Sequence, residues 1–139
     1  MGRKSTVVLM VSFVLLACRV GLTEQQPTLV SVAELVAHPQ NFNRRLVEVE
    51  GFLVFWTQQR HSAVVDLYAD ESEVDRPIAI RRQVLVIPSD EMAESRSRIT
   101  HKYVKLTGTF YAVRSTNGCC ISVLKEVQHF VVSSTPSSP

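Results

Sequence analysis

Arg45-Leu46-Val47-Glu48-Val49-Glu50-Gly51-Phe52-Leu53-Val54-Phe55 is the stretch that decides how this chain folds. Its apolar residues alternate, which is the period of a β-strand. Val47, Val49, Leu53 and Phe55 share one side of a regular pleat, and Glu48 and Glu50 share the other with Phe52, Val54 and Trp56. The second side therefore turns from charged to apolar at Gly51. A glycine inside a strand marks a bulge or a sharp bend. A strand bent there pairs in two sheets, as the first strand of a small closed barrel does.

The pattern returns in Lys102-Tyr103-Val104-Lys105-Leu106-Thr107-Gly108-Thr109-Phe110-Tyr111-Ala112, with a basic residue, alternating apolar positions, a glycine and an aromatic half in the same order. Before the first copy, Ser31-Val32-Ala33-Glu34 forms a capping box, and Val30 and Leu35 are placed for a hydrophobic staple. A helix over 32–37 follows, ended by Pro39, which disfavours the helical state at His38. Asn41 to Arg44 turn into the first strand. After it come a polar loop over 58–62, a second strand over 63–69 and the acidic run Asp70 to Asp75, which reads as a solvated loop. Ile78 to Ile87 gives a third strand or strand pair. Ser89-Asp90-Glu91 opens a second helix to about residue 98, with Met92 and Ile99 as its core contacts. Asn117-Gly118 signals a tight turn after the echo strand. The last strand starts at Cys119 and reaches 127 or 132, and the Ser/Pro stretch 133–139 reads as a disordered tail.

A helix, three strands, a helix and two strands is the layout of the OB-fold, a partly open five-stranded Greek-key barrel. The runs Ser31-Val32-x-Glu34-Leu35-x-x-His38-Pro39, Arg45-x-Val47-x-Val49-x-Gly51 and Lys102-Tyr103-Val104-x-Leu106-x-Gly108 resemble a largely uncharacterised group of small exported bacterial OB-fold proteins. The resemblance covers residues 30–132 and implies a mainly β domain. Its motifs are strand and turn patterns, so it brings no catalytic residue with it.

The N-terminus carries an address. Arg3 and Lys4 precede the apolar run Val7–Ala17, the plan of an export signal over 1–17. The run is shorter than the roughly 20 residues that span a bilayer. Leu15-Leu16-Ala17-Cys18 resembles the lipobox of bacterial lipoproteins, in which the cysteine is lipidated and becomes the new N-terminus. Leu16 departs from the smaller or branched residue usual there; plain secretion and an uncleaved anchor are the alternatives. Residues 18–29 then form the lipidated terminus and tether. The chain has 15 basic and 13 acidic residues, and losing Arg3 and Lys4 with the leader leaves 13 of each. A nucleic-acid partner ordinarily leaves a clear basic excess, so a non-enzymatic module contacting an envelope protein or polymer is the expected reading, with an oligonucleotide-binding OB domain as the alternative and an enzyme or metal protein behind it.

No catalytic motif, cofactor motif or metal motif stands out. His38, His61, His101 and His129 lack the spacing of a zinc site, and no phosphate-cradling glycine loop occurs. Cys119 and Cys120 are adjacent, and their Cα atoms, about 3.8 Å apart, are too close for the usual disulfide span of about 4.4–6.8 Å. The expectation is one core cysteine and one partly exposed thiol. OB-folds bind on the outer face of their second and third strands and on the flanking loops. That predicts ligand contacts at Tyr68, Arg81 and Arg82, at Gln58, Arg60 and His61 from one loop, and at Arg114, Ser115 and Asn117 from the other. Trp56 and Tyr111 stand at strand ends nearby, as stacking platforms or as ordinary barrel packing.

Overall fold

The computed structural model describes residues 25–56, 64–116 and 118–134. Cys18, the leader, Gln58, Arg60, His61 and Asn117 lie outside them. The described chain runs β1 (Thr28–Ser31), α1 (Val32–Ala37), α2 (Pro39–Phe42), β2 (Arg45–Trp56), β3 (Val64–Tyr68), β4 (Gln83–Val86), α3 (Asp90–Glu94), α4 (Arg96–Ile99), β5 (Lys102–Arg114) and β6 (Cys120–Val132).

Strands β2, β3, β4, β6 and β5 pair in that order, and β5 returns to β2. The wall is therefore closed. The β4–β6 contact is parallel and the others are antiparallel. With helices between β4 and β5, this is the five-stranded OB-fold barrel. β2 serves two partners, as its glycine predicts: residues 45–53 pair with β5 and residues 52–56 with β3. Gly51 sits where these pairings meet. A Cβ there would run into the Tyr68 carbonyl oxygen and lie 2.9 Å from Leu67 Cγ. The bend thus needs close backbone approach and no unusual dihedral. Gly108 repeats the device, since a Cβ would lie 2.8 Å from the Lys125 oxygen. Opposite it, the ladder shifts between Thr107 and Thr109, and Glu126 takes a positive φ of 53°.

The core fills from the expected side of each strand. Val47, Val49, Leu53 and Phe55 meet Leu67, Val84, Val86, Leu106, Phe110 and Leu124, while Leu35, Met92 and Ile99 close the barrel from the helices. Ser31 Oγ accepts from the Glu34 amide at 3.1 Å and Ser89 Oγ from the Met92 amide at 3.3 Å, so both predicted caps form.

Five expectations need correction. β1 pairs parallel to β2 over Thr28↔Val47 to Ser31↔Glu50, so part of the expected tether is a strand. The chain re-enters a helix at Pro39, because a proline at the first helical turn lacks only an amide that would be unpaired anyway. The third barrel strand is only Gln83–Val86; Ile78–Ile80 forms a 3-10 turn. The second helix breaks at Ser95 into α3 and α4. Cys119 and Cys120 are both free and exposed, because the strand begins at Cys120 on the exposed hairpin end and neither thiol reaches the core. The Ser133 amide also still bonds the Tyr103 oxygen at 2.8 Å, so the ladder continues one residue past the last strand.

Candidate ligand face on the outer barrel wall

The outward residues of β2 and β3 build an apolar sheet surface. Phe52, Val54 and Tyr68 are buried on the outside of the barrel, in a small cluster separate from the interior core. Cross-strand partners extend it in rows: Tyr103–Phe52–Tyr68–Gln83 and Val54–Asp66–Leu85–Val123–Tyr111.

Residues 70–82 lie over one end of this surface as a strap. Val74 packs on the cluster, and the Glu71 amide donates to the Tyr103 hydroxyl at 3.3 Å. Asp70 caps a 3-10 turn at Glu71–Glu73 by accepting from the Ser72 amide at 2.9 Å. In the acidic run Glu71, Ser72 and Asp75 are exposed as expected of a solvated loop, and Glu73 is the exception. Glu73 has no exposed surface. Its Oε1 accepts from Arg82 Nε at 2.8 Å and Nη2 at 2.5 Å, and Arg76 Nη1 stands 3.2 Å away. Its Oε2 takes the Arg82 amide at 3.3 Å. Burial alone would raise the Glu73 carboxyl, but the hydrogen bonds and charge of Arg82, with Arg76 behind them, hold it below the usual glutamate value.

The other end stays open. Trp56 is 37% exposed and is not in the barrel core. Its Nε1 donates to Asp66 Oδ2 at 3.0 Å, and the Tyr68 hydroxyl reaches the same oxygen at 3.4 Å. Burial raises the Asp66 carboxyl above its ordinary value, against the lowering effect of the Trp56 and Tyr68 hydrogen bonds and the Arg81 charge. Burial and the Asp66 charge likewise raise the Tyr68 hydroxyl. A carboxylate and an indole on neighbouring strands thus hold an aromatic ring at a fixed angle with one side in water.

The predicted site residues separate into groups. Trp56 belongs to the open end, and Arg81, in the strap, is near enough for its charge to act on Asp66. Tyr68 is on the predicted face but has no exposed surface, in a cluster on which Val74 and Tyr103 pack. Arg82 spends its guanidinium on Glu73, and Arg81 Nε donates to the Arg76 carbonyl. Tyr111 stands three strands from Asp66 along its row, about 14 Å around the wall at the usual strand spacing, with Lys125 Nζ 5.3 Å from its ring. Arg114 is exposed at the end of β5, opposite Cys120. The structure does not bring these two to Trp56. In the hairpin beyond them, the Ser115 amide bonds the Cys119 oxygen at 2.8 Å, and Gly118 takes a φ of 82°.

Sequence reasoning missed Asp66, Glu73 and Gln83. Asp66 had a signal: it is the one charged residue in Val64–Tyr68, on the same parity as Tyr68. Gln83 Oε1 is buried without a hydrogen-bond partner beside Tyr68. Among the described residues no cluster of histidine, cysteine or acidic side chains could hold a metal, and no helix is long and apolar enough to cross a membrane.

No protein-family model and no curated protein matches the chain. Solved structures share its outline. A chain named as an aspartyl-tRNA synthetase from Leishmania major Friedlin is 17% identical over 81% of this chain and 22% of its own, with a TM-score of 0.45. The aspartyl-tRNA synthetase of Entamoeba histolytica is 15% identical over 86% of this chain and 25% of its own, also at 0.45. The chain spans about a quarter of the length of either.

Proposed function

We propose that the protein is a non-enzymatic binding module of the bacterial cell envelope, anchored through a lipidated Cys18, that holds a protein or envelope polymer on the open end of this face. The observation that carries the proposal is Trp56: a large aromatic ring, exposed and hydrogen-bonded to Asp66, at the end of the first barrel strand beside β3, the second, whose outer face and flanking loops OB-folds use for ligands. Fixed aromatic rings bind sugar rings and aromatic or proline-rich peptide segments with little loss of side-chain freedom.

Charge favours this class of ligand over nucleic acid. Arg82 and Arg76 are balanced by Glu73 and Asp70 together, and Arg81 is near enough to Asp66 for its charge to act there. A strand of phosphates needs unneutralised cations along its path. Titration with single-stranded DNA at low salt, followed by tryptophan fluorescence, separates the two readings. Weak or absent binding is expected; tight, salt-sensitive binding would replace the proposal with an oligonucleotide-binding domain. For the anchor, radiolabelled palmitate should label the wild-type protein and not Cys18→Ser, and equal membrane retention of the two would exclude lipidation.

A further inference from the structure

The strap covers part of the surface on which the proposed ligand docks, and what holds it there is specific. Its apolar contact is Val74 on the Phe52–Tyr68 cluster. Its polar contacts are the Glu71 amide on the Tyr103 hydroxyl and, within the strap, Glu73, whose two oxygens take the side chain and the amide of Arg82 and the charge of Arg76. Arg82 in turn closes the strap onto the barrel, since its carbonyl accepts from the Ala69 amide at 3.0 Å. Both ends of the strap therefore meet at one buried carboxylate. Beneath it lie Phe52, Tyr68 and Tyr103, with Phe52 and Tyr103 in edge contact at 5.3 Å between ring centres.

We propose that residues 70–82 are a self-occupying strap latched by Glu73, and that its release uncovers Phe52, Tyr68 and Tyr103 as a second aromatic half of the face, continuous with Trp56. One cost of the closed state favours release: Gln83, the cross-strand neighbour of Tyr68, keeps a buried acceptor unpaired. Among the described side chains of the strap, Val74 is the one packed on the cluster, whereas the barrel beneath is held by paired strands, so local opening precedes unfolding. Ligand access through the strap rests on the function proposed above; the opening itself does not and is measured without ligand.

The test is amide hydrogen exchange on the full chain at neutral pH, comparing wild type, Glu73→Gln and Val74→Ala. Glu73→Gln weakens the latch, and Val74→Ala loosens the strap while leaving every ion pair in place. Both should speed exchange at Ala69, Val74 and Arg82 by about tenfold or more, with the β2–β5 amides unchanged. Both should also gain binding of the dye ANS to the uncovered rings. Glu48→Gln, which weakens the 3.6 Å pair with Lys105 farther along β2 and β5, should change neither. Exchange rising equally through β2 and β5, or no rise in the strap, would overturn the proposal, as would strap opening in Glu48→Gln.

Discussion

The indole of Trp56 and the carboxylate of Asp66 are joined across β2 and β3 by a 3.0 Å hydrogen bond. Trp56 is the chain's single tryptophan, so its emission reports this contact directly. Because burial raises the Asp66 carboxyl, emission should titrate with a midpoint above 3.8, the ordinary aspartate value. Asp66→Asn keeps an acceptor for both the indole and the Tyr68 hydroxyl and should abolish the titration.

The same shift sets a sign for stability. A carboxyl raised on folding binds its proton more tightly in the native state, so its ionisation opposes folding as pH climbs past the unfolded value. At pH 7 Asp66→Asn should therefore be at least as stable as wild type in urea melts. Asp66→Ala, which removes the acceptor, should lose about 1–2 kcal/mol.

Glu73 behaves oppositely. Its native value is lowered, so its contribution is present above the ordinary glutamate value of 4.5 and fades as pH falls through the native one. The groups facing it are Arg82 and Arg76, with Asp70 3.8 Å from Arg82. Arg82→Ala should cost about 1–3 kcal/mol at pH 7, below the figure for a fully buried pair because the guanidinium is partly in water. The difference from wild type should shrink by pH 3 in denaturant melts.

Gly51 and Gly108 test the barrel. Gly51→Ala drives a methyl into the Tyr68 carbonyl and Leu67, and neither strand can move without breaking the ladder. Gly108→Ala meets the Lys125 carbonyl at 2.8 Å beside an already irregular ladder, which gives more easily. Thermal melts should show both losing stability, by about 1–3 kcal/mol or more, with Gly51→Ala the worse.

These two glycines were legible because a strand period broken by glycine has few structural meanings. The capping box was legible for the same reason, since Ser31 and Glu34 make its pattern within four residues. Contacts between distant segments were not. Thr28–Ser31 shows only Val30 as a buried position, and its parallel pairing with Val47–Glu50 exists only after the barrel has formed. Glu73 sits in a run of acids that looks solvated, and its partner Arg82 is nine residues away beyond a proline. Tyr68 was placed on the right face, but its cluster takes Val74 from that same strap. Trp56 could have been core or surface, and the parity of Asp66 decides it.

The docking surface can be tested without knowing the ligand. Val64 lies beside Trp56 at the open end, and Thr107 pairs with Glu48 at the far end of β2, eight residues from Trp56. A benzophenone amino acid at each position, irradiated in intact cells, should crosslink to one discrete partner or polymer from position 64 only, and Trp56→Ala should abolish it. Equal crosslinking from position 107, or a position-64 crosslink indifferent to Trp56→Ala, would contradict the assignment of this face.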